Sequence, residues 1–70
     1  MNWIDTRHRL PQEDNTAYVV SVTRDNYTFK AIAYFSPGAQ EWYYSDRGER
    51  GDLIRDRVNA WVENLAIFTR

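Results

Sequence analysis

The chain has no cysteine, so neither a disulfide nor a thiolate metal site is available to it. Its one histidine, His8, leaves a zinc shell to be completed by carboxylates and water, which is not zinc's usual ligand set. The three glycines, Gly38, Gly48 and Gly51, are not in the GxxxxGK spacing that cradles a phosphate. No D-x-D-x-D-G calcium loop is present either. No cofactor is expected from these residues. There is no apolar run approaching about 18 residues, so no transmembrane helix is expected. No basic-then-apolar leader opens the chain, which leads to the expectation of a cytoplasmic protein. On that reading Arg50-Gly51-Asp52 and Asn26-Tyr27-Thr28 are chance spellings of an integrin-type tripeptide and a glycosylation site, because both motifs need an extracellular setting.

What is abundant is aromatic surface. Seventy residues make one small domain, residues 1–70, which buries only about 60% of its unfolded surface. The core must then come from Trp3, Trp42, Trp61, five tyrosines and three phenylalanines. Each ring buries roughly 150–250 Å². Part of that set has a second use, since small domains also gain stability by association. The net charge of −1 argues against a nucleic-acid or anionic-membrane footprint, which needs a basic excess on one face. Nearly all the positive charge is arginine, with Lys30 the single lysine. Arginine suits planar, bidentate and stacked contacts, a hint of interface use.

Along the chain, residues 17–24 (AYVVSVTR) alternate as a strand with Tyr18, Val20 and Val22 on one face. Asp25-Asn26 is a two-residue turn candidate. Residues 27–35 form a second strand with Phe29, Ala31, Ala33 and Phe35 on one face and Lys30, Ile32 and Tyr34 on the other. Its two largely apolar faces place it centrally. Ser36-Pro37-Gly38-Ala39 reads as a type II turn with φ > 0 at Gly38. Residues 41–45 make the third strand of an antiparallel meander. Residues 46–52, DRGERGD, carry no apolar side chain and read as an exposed loop. Beyond them Leu53, Ile54, Val58, Trp61, Val62 and Leu65 fall within about half the circumference of a 3.6-residue helix, with Asp52 as its N-cap. The expected fold is therefore α+β: a three- to four-stranded antiparallel meander with one C-terminal helix on a face. The alternative is a small all-β sheet with residues 57–63 as a last strand. At the other end, Trp3-Ile4 packs on the sheet edge or pairs as a short strand, and Leu10-Pro11 ends that segment.

Candidate chemistry is sparse. A lone surface histidine does not make a catalytic site, and the carboxylates mostly alternate with arginines, as in Asp46-Arg47 and Glu49-Arg50, the pattern of a solvated face. No catalytic or metal-ligating residue is expected. The most suggestive run is Trp42-Tyr43-Tyr44. On a strand, Trp42 and Tyr44 share one face and Tyr43 takes the other, so one face offers aromatic surface to a partner. With Arg47 nearby this reads as an interface hot spot, or as a base-stacking platform. Arg7, His8 and Arg9 form a small cationic cluster between the two N-terminal anchors and complete the candidate binding residues.

Trp3-Ile4, Arg9-Leu10-Pro11, Val19-Val20, Ala33-Tyr34, Trp42, Val58 and Trp61 form a spaced pattern. It resembles a family of short bacterial and phage proteins, the domain of unknown function numbered five hundred and fifty-one, whose members look like W-I-x-x-x-x-R-L-P, a V-L-V strand, an I-A-Y strand, a Trp and a closing T-H-W-M-P-L-P. Here the closing segment is Asn59-Ala60-Trp61-Val62-Glu63, without the proline or histidine. The family's ending looks like a strand, which stands against the helical reading. The resemblance carries over no catalytic residue. It implies a phage or prophage accessory protein, of the kind that inhibits host or defence proteins. The leading expectation is a non-enzymatic protein-binding module. A nucleic-acid or nucleotide binder and a homodimeric small enzyme with a composite site are the alternatives.

Overall fold

The computed structural model describes residues 2–62, and every regular element in that span is a β-strand. The strands are β1 (Trp3–Asp5), β2 (Ala17–Arg24), β3 (Tyr27–Ser36), β4 (Glu41–Asp46), β5 (Glu49–Leu53) and β6 (Arg57–Val62). They form one antiparallel sheet in the order β1-β6-β2-β3-β4-β5. The central hairpin follows its local signals. β-branched and aromatic residues alternate through β2, burying Tyr18, Val20 and Val22. Asp25, at φ 55°, turns the chain into β3, which pairs with β2 from Arg24↔Tyr27 to Ala17↔Tyr34. The N-terminal Trp3-Ile4 pairs as a short strand against β6.

Three expectations are corrected. The loop after β3 is not a type II turn with positive φ at Gly38. Ser36 pairs with Glu41, so the loop has four residues, and the positive φ (56°) falls on Gln40, whose N–H donates to the Ser36 carbonyl at 2.6 Å. A four-residue hairpin loop turns the chain with a type I-like bend and needs its left-handed residue last.

The DRGERGD segment is not a loop but a hairpin, closed by Arg47 at φ 56° and Gly48 at φ 81° between β4 and β5. Positive φ at both central residues marks the type I′ turn that suits strand twist. Because β5 is an edge strand, charge rather than alternating apolar residues suits it, so it carries no sequence signal of a strand. Arg47 sits in a conformation that penalises most L-residues, whereas Asn tolerates it. Arg47→Asn is expected to raise the unfolding free energy by about 0.5–1 kcal/mol, read as a higher denaturant midpoint.

The third correction is the helix. Residues 53–62 hold the end of β5, a three-residue link and β6, and the all-β alternative is the one the fold takes, as far as Val62; Glu63, Leu65 and Phe68 lie outside the described residues. The helical spacing has a physical origin. β6 pairs Val58 with Val22 and Trp61 with Val20, with a register shift between. Two β2 residues two apart thus face two β6 residues three apart, and Asn59 is the extra residue of a β-bulge. Val58 and Trp61 both point inward, an i, i+3 pair produced by a strand. Asp52, the expected N-cap, lies within β5.

Such a sheet buries a core only by curling. β5 and β6 stand four strand spacings apart in the sheet order, about 19 Å if flat. The link from Leu53 to Arg57 reaches about 14 Å at most when fully extended. The sheet, open between β1 and β5, therefore coils around its inner face. Ile54 enters this face, buried, with its N–H bonded to the Trp42 carbonyl at 2.8 Å. Tyr18 of β2 stacks edge-on to Trp42 of β4 (6.3 Å between centroids) and to Trp61 of β6 (5.1 Å). Phe35, Val20, Val22 and Ala33 complete the core, with Ile4, Leu10, Phe29, Ala31, Tyr44 and Val58 packed around it.

Candidate interaction face

The register assigns every strand residue to one of two faces. The inner face is the core. The outer face carries a row that crosses four strands: Trp3 of β1 pairs with Val62 of β6, and Val19 of β2 pairs with Ile32 of β3. The Val20↔Trp61 pairing sets Val19 beside Val62 and so joins the two halves. Val62 is buried and Val19 half-buried, but Trp3 is 41% exposed and Ile32 43% exposed. These are two of the three large exposed hydrophobic residues among the described residues, and they lie in one line.

A second outer row runs beside the first. Ala17 pairs with Tyr34, Tyr34 with Tyr43, and Tyr43 with Leu53. Both tyrosines are held in place. The Tyr34 hydroxyl donates to the Gly48 carbonyl at 2.7 Å, tying β3 to the β4–β5 turn. The Tyr43 hydroxyl donates to Glu41 Oε1 at 2.9 Å, and that bond pushes its pKa above the usual phenol value, since ionisation would put two anions together. The Arg50 guanidinium lies 4.7 Å from the Tyr43 ring centroid, with Nη2 3.4 Å from Asp14 Oδ1. The outer face thus combines aliphatic, aromatic and arginine surface, the composition that dominates protein interfaces.

The expected binding residues divide. Trp42 is buried in the core, stacked against Phe35 at 4.7 Å. Tyr44 also faces inward, half-buried, and its hydroxyl accepts a hydrogen bond from Arg24 at 3.2 Å. Tyr43 is on the outer face. Arg47 is exposed in the β4–β5 turn.

The Arg7-His8-Arg9 cluster is part of a tight turn after β1. The His8 and Arg9 N–H groups both donate to the Asp5 carbonyl, at 2.9 and 3.1 Å. Arg7 returns to Asp5 through Nε and Nη2, at 3.2 and 2.9 Å, while its backbone N–H donates to Oδ1 at 2.8 Å. The Arg9 carbonyl accepts from the Trp61 indole at 2.9 Å, and its guanidinium stands 5.4 Å from that ring. The turn clasps β1 to the core tryptophan, and a shallow open depression lies along it, lined by Trp3, Ile4 and the residues of the turn.

These bonds, the side-chain bond from Arg7 first, hold the Asp5 carboxyl down at about 2. A folded-state pKa below the unfolded value contributes stability above the ordinary carboxylate range, lost as pH falls through about 2. A carboxylate NMR titration should show this low midpoint, returning towards the usual value in Arg7→Ala.

Sequence reasoning passed over Ile32 and Tyr34 as candidate interface residues, taking the second apolar face of β3 as the sign of a central strand. β3 is central, yet its outer face is not covered among the described residues. Alternation located Ile32 on that face correctly. The Tyr27–Phe29 pair at the tip of β3 was also passed over. Their rings are 5.8 Å apart, and Arg24 lies 5.3 Å from Phe29. Arg24 is committed to Asp56 at 3.0 Å, so this cluster pins the link before β6 to the hairpin.

Among the described residues no group of three or more His, Cys, Asp or Glu side chains is placed to hold a metal. No described helix is long and apolar enough to cross a membrane. Comparison with protein-family models, with curated proteins and with solved structures finds no match for this chain.

Proposed function

We propose that this protein is a non-enzymatic binding module that docks a partner protein on the outer face of its sheet. The observation that carries the reading is the apolar row from Trp3 to Ile32, exposed at both ends and flanked by Tyr34, Tyr43 and Arg50. A sheet face of this composition suits a partner, because covering exposed large apolar side chains such as Trp3 and Ile32 is favourable. The described groups support binding rather than chemistry. His8 is exposed, and Asp5, Asp14 and Glu41 are each tied to a structural partner. The resemblance of Trp3-Ile4 and Arg9-Leu10-Pro11 to a family of phage and bacterial proteins supports an accessory role in which a host or defence protein is bound or inhibited.

The test is affinity capture from bacterial lysate with the tagged protein, with and without nuclease, alongside Ile32→Asp. One protein retained in both conditions by the parent and released by Ile32→Asp is the expected result. Retention that vanishes on nuclease treatment would replace this reading with nucleic-acid binding. A solution mass of twice the chain that reverts to monomer in Ile32→Asp would assign the face to a second copy instead.

A further inference from the structure

Charge is sorted between the two faces of the sheet. Among the described residues every outer-face carboxylate has a structural partner: Asp5 binds Arg7, Asp14 binds Arg50, and Glu41 accepts the Tyr43 hydroxyl. Two outer-face cations are left over. Lys30 pairs across the sheet with Ser21, and Arg57 with Thr23, both neighbours being neutral. Neither cation has an ion pair among the described residues. Apart from Glu41, the described carboxylates without an ion pair lie elsewhere: Glu13 in the link before β2, Asp25 in the β2–β3 turn, Asp46 and Glu49 paired at the β4–β5 end, and Asp52 on the edge strand. With Glu41 set against Lys30 and Arg57, the outer face keeps a positive excess among the described residues, although the chain's net charge is −1.

The two cations stand on one side of the apolar row. Lys30 is two residues from Ile32 along β3, and so one step away on the same face, with Arg57 beyond it across β2. Trp3 and Ile32 are three strand spacings apart, about 14 Å, which is the length of roughly nine helical residues. A helix is what commonly covers the open face of an antiparallel sheet. The aromatic row beside Tyr34 and Tyr43 bounds the other side.

From this arrangement, and resting on the protein-binding reading above, we infer that the outer face takes an acidic amphipathic helix of the partner. Its apolar stripe lies along Trp3, Val19 and Ile32, and its carboxylates meet Lys30 and Arg57. The complementarity is directional. A helix laid with its acidic flank towards Tyr34 and Tyr43 would face Glu41 and the Asp14-paired Arg50 instead, and two copies of this face would oppose like charges or leave the cations unmatched.

The test uses a fluorescein-labelled, alanine-based peptide of about 15 residues, long enough to hold a helix. It carries leucines at i, i+3, i+4 and i+7 and glutamates on one flank. A twin peptide has lysines in place of the glutamates, and labelled oligothymidylate is the third probe. Fluorescence anisotropy should show the glutamate peptide bound, more weakly as salt rises. Affinity should fall about tenfold or more in the double variant Lys30→Glu, Arg57→Glu, and by a similar factor in Lys30→Gln, Arg57→Gln. Ile32→Asp should abolish it, and Tyr27→Ala, on the other face, should leave it unchanged. Circular dichroism confirms that each variant is folded.

No binding of the glutamate peptide, equal binding of its lysine twin, or indifference to the charge variants overturns the inference. Oligothymidylate binding that the same variants remove would assign the cations to nucleic acid. A lysate partner released by Ile32→Asp but held unchanged by Lys30→Glu, Arg57→Glu would leave the binding module standing and remove the acidic helix alone.

Discussion

Trp61→Ala should remove a large share of the stability of the fold. Trp61 is 2% exposed, and three separate parts of the fold meet on it. Tyr18 stacks edge-on at 5.1 Å, the Arg9 guanidinium lies 5.4 Å from its ring, and its indole N–H donates to the Arg9 carbonyl at 2.9 Å. It also joins the two strands beside β6, pairing with Ile4 and Val20. Removing a buried tryptophan costs about 3–5 kcal/mol. A domain of this length has a total stability of about 4–10 kcal/mol. The change thus removes a large share of it, and far-UV circular dichroism in a denaturant series should show the transition shifted to much lower denaturant. Trp61→Phe keeps most of the buried surface but removes the indole N–H bond to the Arg9 carbonyl, so it should lose about 1–2 kcal/mol. An unchanged midpoint in Trp61→Ala would show that the N-terminal turn and β6 do not depend on this residue.

Gly51→Ala comes next, at about 1–3 kcal/mol. The reason is space. A Cβ at Gly51 would stand 2.9 Å from the Asp46 Cβ and 3.0 Å from the Tyr44 carbonyl oxygen. Neither atom is the far end of a mobile side chain, so β4 and β5 must move apart. The close approach arises from the register shift between Tyr43 and Ser45, which sets Gly51 and Asp52 opposite Tyr44 as a bulge. Hydrogen exchange should report the change locally, as faster exchange at the β4–β5 amides and little change in β2. Gly38→Ala supplies the contrast. Nothing lies within 4 Å of a Cβ there, so no loss is expected. Equal effects at the two glycines would refute the steric argument.

Both residues show where local reading ends. Tyr18, Val20 and Val22, the Asp25-Asn26 turn and the face of Phe29, Ala33 and Phe35 follow from period-2 alternation and turn chemistry, which need no knowledge of the rest of the chain. β5 has no such signature, because an edge strand of Glu49, Arg50, Gly51 and Asp52 faces water and gains nothing from apolar alternation. β6 has a misleading one, because a single bulge at Asn59 turns the spacing of two into a spacing of three. The candidate site divides in the same way. That Tyr43 must oppose Trp42 and Tyr44 was legible, since successive strand residues point to opposite faces. Which of those faces becomes core was not.

The sequence by itself determined a single small chain without cysteine chemistry, an antiparallel β2–β3–β4 meander and an aromatic core. Only the tertiary structure decided that β6 returns to lie between β1 and β2, that the sheet curls to bury Trp42 with Trp61, and that Trp3 and Ile32 line up on the opposite face. Alternation is a property of neighbouring residues. Strand order and register are set by contacts between segments distant in sequence, and those contacts decide which of two apolar faces the core takes.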